Sequence, residues 1–89
     1  MTEKQRSRYR LFLLGQLKEA APYAMTLSQL NDGQILSGFR DSTSDVALIE
    51  AQALAESGLL KLGRNETNRA VMEATLTEAG RVHLVDNGL

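Results

Sequence analysis

Residues 53–84, ALAESGLLKLGRNETNRAVMEATLTEAGRVHL, decide the architecture of this chain, because the apolar spacing changes twice within them. The stretch opens on the end of a helix that stops at Gly58, in the position a left-handed C-cap requires. Beyond it the pattern alternates: Leu60 and Leu62 on one strand, then Met72, Ala74 and Leu76 on another, with Val71, Glu73 and Thr75 pointing the other way. Between the strands Arg64, Asn65, Glu66, Thr67, Asn68 and Arg69 are all polar, so the connection is expected to be solvated. Helical spacing then returns. Thr75-x-x-Glu78 has the form of a capping box, and a last helix from about Thr77 is expected to bury Ala79, Val82 and Leu84 or Val85 before Asn87-Gly88 ends it.

Upstream, the helix that closes at Gly58 opens in Asp41-Ser42-Thr43-Ser44-Asp45, a run of N-cap residues. Its wheel places Ala47, Leu48, Ala51, Leu54 and Ala55 on one face, small enough to let another helix approach closely. Asp45, Val46, Ile49, Gln52, Ala53 and Glu56 point outward. A shorter helix begins at Thr26, where Thr-x-x-Gln with Gln29 is a capping box and Leu27 and Leu30 face inward. Asn31-Asp32-Gly33 is expected to end or bend it, with one more helical turn over residues 34–39 until Gly38 breaks it. The first helix spans residues 4–21, with Tyr9, Leu13, Leu17 and Ala20 at helical spacing, Phe12 and Leu14 widening the stripe, and Pro22 as its stop.

The size of the chain limits what these elements can enclose. Its 89 residues, 43% apolar and 24% charged, fit one domain spanning residues 1–89. A domain this small buries only about 60 to 65% of its unfolded surface, which argues against a deep substrate cavity. There is no cysteine, so disulfides and thiolate metal sites are excluded, and a reducing, cytoplasmic setting fits. The run Leu11 to Leu14 is interrupted by Gly15, Gln16, Lys18 and Glu19, too early for a signal-peptide core, and no segment reads as a membrane span. The net charge of −1 carries no electrostatic signature as a whole, but it is unevenly spread. Over residues 1–30, Lys4, Arg6, Arg8, Arg10 and Lys18 outweigh Glu3 and Glu19. Over residues 31–58, Arg40 stands alone against Asp32, Asp41, Asp45, Glu50 and Glu56, and the remainder is balanced.

Helix, helix, helix, strand, turn, strand, helix is the order of a winged helix-turn-helix: α+β, mostly helical, with three N-terminal helices, a two-stranded β-wing and a short C-terminal helix. The closing stretch resembles the MarR-type transcription regulators. Leu54 to Leu59 matches that family's Leu-x-x-x-Gly-Leu. Thr67-Asn68-Arg69 stands where its wing ends near Asp-Arg-Arg, and Leu76-Thr77-Glu78-Ala79-Gly80 matches its Leu-Thr-x-x-Gly. The likeness covers roughly the last 40 residues by motif and the first helices by order alone, which warrants a fold and not a function. Long terminal helices dimerise MarR-type proteins, and nothing of that length is present, so that mode of dimerisation is not expected. In size the chain is similar to the small stand-alone winged-helix proteins of phage and prophage origin, the YjcQ type, which implies a bacterial or phage-associated setting.

Two roles follow. In a DNA-binding regulator the third helix enters the major groove and the wing meets the backbone. Arg64, Asn65, Asn68 and Arg69 are then the wing contacts and Ser42, Ser44 and Gln52 the helix contacts, while Arg6, Arg8 and Arg10 could add phosphate contacts. Against this, the third helix has no Lys or Arg and carries two acids outward. In the alternative, a protein-interaction or homodimerisation module, Val46, Ile49 and Ala53 form an apolar strip rimmed by Asp45 and Glu56. A homodimer would reconcile the two by presenting two wings. An enzyme is not expected: His83 is the only histidine, and no Gly-rich phosphate loop or nucleophile–base motif accompanies it. Neither a cofactor, a metal nor a small-molecule substrate is implied.

Overall fold

Four helices and three strands follow in the order α1 (Glu3–Ala20), β1 (Met25–Thr26), α2 (Leu27–Leu36), α3 (Ser44–Glu56), β2 (Leu60–Arg64), β3 (Met72–Leu76) and α4 (Glu78–Asp86). They are seen in a computed structural model that describes residues 1–89. Local chemistry sets the boundaries. Thr2 and Thr26 each accept from the amide three residues on, and Gln5 and Gln29 reach back to the cap amides, so α1 and α2 both start on complete capping boxes. Thr43 caps α3 through Val46 N. α2 and α3 close alike, on a glycine with positive φ, 107° at Gly38 and 77° at Gly58. Gly38 N and Phe39 N bond back to Ile35 and Gln34, and Gly58 N and Leu59 N to Ala55 and Leu54, the paired bonds of a Schellman motif.

The three strands form an antiparallel sheet in the order β1-β3-β2. Leu60 pairs with Leu76 and Leu62 with Ala74, so the apolar alternation of β2 and β3 faces inward as the hairpin reading requires. One cluster of ten buried residues makes the core: Tyr9, Leu13, Leu14 and Leu17 from α1, Leu30 from α2, Ala51 and Leu54 from α3, Leu60 and Ala74 from the sheet, and Leu84 from α4. The small residues Ala47 and Ala51, both fully buried, form the inner side of α3. No helix is long and apolar enough to cross a membrane.

Three expectations are corrected. The sheet has a third strand, β1, whose Met25 pairs with Ala74 and Thr26 with Glu73. Two residues are too few to show an alternating pattern, and one of them, Thr26, is itself the helix cap that dominates the local signal. Asn31-Asp32-Gly33 neither ends nor breaks α2, which runs through to Leu36. The reason is tertiary: the Gln16 side chain crosses at Gly33, where a Cβ would fall 1.9 Å from its Oε1, and donates to Leu30 O at 3.0 Å and Gln34 Oε1 at 2.9 Å. Gln34, fully buried, donates in turn to Tyr9 O at 2.7 Å. Finally, the cap of α4 is Thr77 and not Thr75, and the inward residues are Gly80 and Leu84. Ala79, Val82 and Val85 face outward, the two valines 50% and 66% exposed.

Candidate nucleic-acid interface

The start of α3 is held by a buried relay of hydroxyls. Ser42 donates to Asn31 Oδ1 at 2.7 Å, which leaves its oxygen to accept from the Tyr9 hydroxyl at 2.7 Å. Burial pushes the Tyr9 phenol above its ordinary pKa, and the bond to Ser42 partly offsets this. One serine thus ties α1, α2 and the loop before α3 together. Ser42 is only 8% exposed. Its expected role as a DNA contact is corrected: the hydroxyl is consumed inside the fold and positions the helix instead. Removing it as Ser42→Ala strands the Tyr9 hydroxyl, at a cost of about 2 kcal/mol. The thermal midpoint should fall by roughly 8 to 16 °C. Adding Tyr9→Phe should cost little more, because no donor is then left stranded. An unaltered midpoint for Ser42→Ala would remove the relay.

A second tie joins α1 to the middle of α3. Glu50, 3% exposed, receives Arg10 Nε at 2.6 Å and has Arg6 Nε at 3.4 Å from its other oxygen. The Arg6 N–H is not aimed at the carboxylate, so that contact is charge attraction without a hydrogen bond. Arg6 and Arg10 are therefore drawn toward Glu50, with 41% and 37% of their side chains still exposed, so the charge expected to meet phosphate is partly balanced within the fold. The spacing of the two arginines, one helical turn apart, and the lone acid of an otherwise apolar helix face were the available signal. Arg8 remains exposed and outside any ion pair, as do Arg40, Arg64 and Arg69. An open groove of about 800 Å³ runs between α1 and α3, with Arg8 and Arg40 on its walls and Tyr9, Phe39, Val46 and Ile49 as its apolar part.

The outer side of α3 is narrower than the sequence implied. Ser44, Asp45, Ile49, Gln52 and Glu56 are exposed, with Ile49 at 61%. Val46 and Ala53 are half-buried, and Val46 packs against the core. The expected strip of Val46, Ile49 and Ala53 thus reduces to one projecting aliphatic side chain, less than an interface core requires.

The wing is organised by its own asparagines. Asn65 Oδ1 accepts from Thr67 N and Asn68 N, both at 2.9 Å, while its amide donates to Glu73 Oε2 at 3.1 Å. Asn68 Oδ1 accepts from Ala70 N at 3.2 Å. These are the turn-building bonds of short polar side chains. Asn65 is half-buried and shapes the loop, its oxygen holding two backbone amides and one of its two amide N–H groups bonded to Glu73. Asn68 keeps an exposed amide. Arg64, at the end of β2, and Arg69, beyond the turn, are exposed cations. The wing and α3 thus combine free guanidinium groups on a hairpin with an uncharged polar and aliphatic helix centre. No cluster of His, Cys, Asp or Glu is arranged to hold a metal ion.

Neither the known protein-family models nor the curated protein sequences give a match to this chain. Solved structures do. YusO from Bacillus subtilis superposes with a TM-score of 0.73 at 18% identity, over 91% of this chain and 53% of that one. BpsR from Bordetella bronchiseptica, whose DNA binding is regulated by 6-hydroxynicotinic acid, gives 0.74 at 16%, over 97% and 52%. The transcriptional regulator BldR from Sulfolobus solfataricus gives 0.65 at 17%, over 84% and 50%. The chain spans about half the length of these proteins, and at such identities the likeness is one of fold. What the chain shares with them is the fold; in this chain that fold is four helices and a small antiparallel sheet whose β2–β3 hairpin forms the wing of a winged helix.

Proposed function

We propose that this chain binds double-stranded DNA as the winged-helix part of a bacterial or phage transcription regulator, with the wing on the phosphate backbone and α3 against the major groove. One observation carries the reading. The four arginines outside any ion pair, Arg8, Arg40, Arg64 and Arg69, all lie on the wing or beside α3, whereas the other three are paired with Glu3, Glu50 and Glu78. Free guanidinium groups on a wing and beside an exposed helix suit a duplex, whose phosphates flank the groove that the helix would enter. The DNA binding named for BpsR and the regulatory role named for BldR support the same use of the fold. Ser44, Gln52 and Asn68 are the neutral contacts in this reading, and a cytoplasmic homodimer would bring two wings to one site. The role is one of binding and not of catalysis. The most acidic feature of the interior, Glu50, is neutralised by arginines.

A gel shift against random-sequence duplex DNA across a salt series tests the reading. Binding should persist at about 0.15 M salt and weaken log-linearly as salt rises. Absence of a shifted band even at about 0.05 M, where electrostatic attraction is least screened, would overturn it.

A further inference from the structure

Across its exposed side α3 offers a duplex Ser44, Asp45, Ile49, Gln52 and Glu56, and no cation occurs anywhere between Ser44 and Glu56. Guanine presents two acceptors to the major groove, O6 and N7, and is read by the paired donors of Arg or Lys. Carboxylates such as Asp45 and Glu56 cannot donate to those acceptors, and the one base group they suit is the cytosine amino group. They stand one turn beyond Ile49 and Gln52 on either side, so the centre of the helix is left to these two neutral residues. Adenine presents one acceptor and one donor, which a glutamine amide such as Gln52 matches with both of its ends. Thymine adds a C5 methyl group, and the 61% exposed Ile49 is the only sizeable apolar group α3 projects, Val46 being turned against the core. Ile49 and Gln52 are three residues apart, on one face of the helix and within reach of neighbouring base pairs.

We infer that α3 reads A·T base pairs, Ile49 against a thymine methyl group and Gln52 across an adenine edge, while the attraction to phosphate comes from arginines outside the helix. The inference rests on the DNA-binding reading above. It also gives Ile49, an exposed aliphatic residue with no role in the core, a function that a phosphate-only contact would not use.

Selection of bound molecules from a pool of randomised duplexes, followed by titration of the best-bound duplex, tests it. The enriched site should fix adenines and thymines at its centre and no guanine. Replacing its thymines by uracil, which removes only the methyl groups, should weaken wild-type binding about fourfold, the value of one buried methyl. The same replacement should leave the Ile49→Ala variant within about twofold, because the contact is already gone; its fold is preserved, since position 49 lies outside the core. A guanine fixed at that centre, or an equal uracil penalty in both proteins, overturns the inference. Salt-sensitive binding without any enriched sequence overturns it too while leaving the DNA-binding reading standing, and failure to bind any duplex removes both.

Discussion

Gly80→Ala should lower stability by about 3 kcal/mol, although glycine to alanine in an open helix gains about 1 kcal/mol. Direction is decided by what the added methyl group meets. A Cβ at Gly80 would stand 2.0 Å from the Leu59 carbonyl oxygen and 2.6 Å from Leu76 Cδ1. The first of these is backbone and cannot step aside. Leu59 is held on one side by its amide bond to Leu54 O and on the other by accepting from Thr77 N, and Thr77 donates its hydroxyl to Gly58 O at 2.7 Å. Relief must therefore come from moving α4 away from the end of α3, with loss of the packing of fully buried Leu84. For a domain of this size the thermal midpoint should drop by roughly 12 to 24 °C. Gly15→Ala is the control. It lies inside α1 with nothing within 4 Å of the added Cβ, so the ordinary helix gain applies and the midpoint should rise by roughly 4 to 8 °C. Were Gly80→Ala to melt with Gly15→Ala, the close approach of α4 to Leu59 would be wrong.

That contact explains why the fold was legible in one stretch of sequence. Leu54 to Leu59 and Leu76 to Gly80 look like two separate motifs, and in space they are one joint: the glycine turn ending α3 supplies the carbonyls, and Thr77 and Gly80 supply the hydroxyl and the empty space that meet them. The cap at Thr26, the cap-rich run that opens α3 and the inward alternation of the hairpin were legible for a similar reason, since each is fixed by residues close in sequence. What escaped was set at long range. α2 persists through Gly33 because Gln16, 17 positions earlier, crosses there, and β1 exists because β3, some 48 residues later, pairs with it. The candidate interface divides the same way. Exposure of Arg64, Arg69 and Gln52 followed from local pattern, whereas the burial of Ser42 depended on Tyr9, and the pairing of Arg6 and Arg10 on Glu50.

Arg64→Ala with Arg69→Ala should produce the largest functional loss. The two guanidinium groups are exposed at the hairpin, and the only acids beside them are Glu66, which is exposed, and Glu73, which already accepts from Asn65. If each arginine neutralises one phosphate, its removal abolishes the release of about 0.9 counterion. The double variant should therefore show a slope of log affinity against log salt shallower by about 1.8. Carried from a 1 M reference to 0.1 M salt, that is a loss of about 60-fold, equal for every duplex sequence, because phosphates carry no base identity. Stability should be unaltered, since neither side chain packs in the core nor joins an ion pair, so circular dichroism melting separates lost binding from lost folding. Glu66→Gln is the opposite perturbation: removing the exposed carboxylate beside the same phosphates should strengthen binding, most strongly at low salt. A double variant that keeps the wild-type salt slope would take the wing off the backbone, and the remaining attraction would then have to come from Arg8 and Arg40 along the groove between α1 and α3.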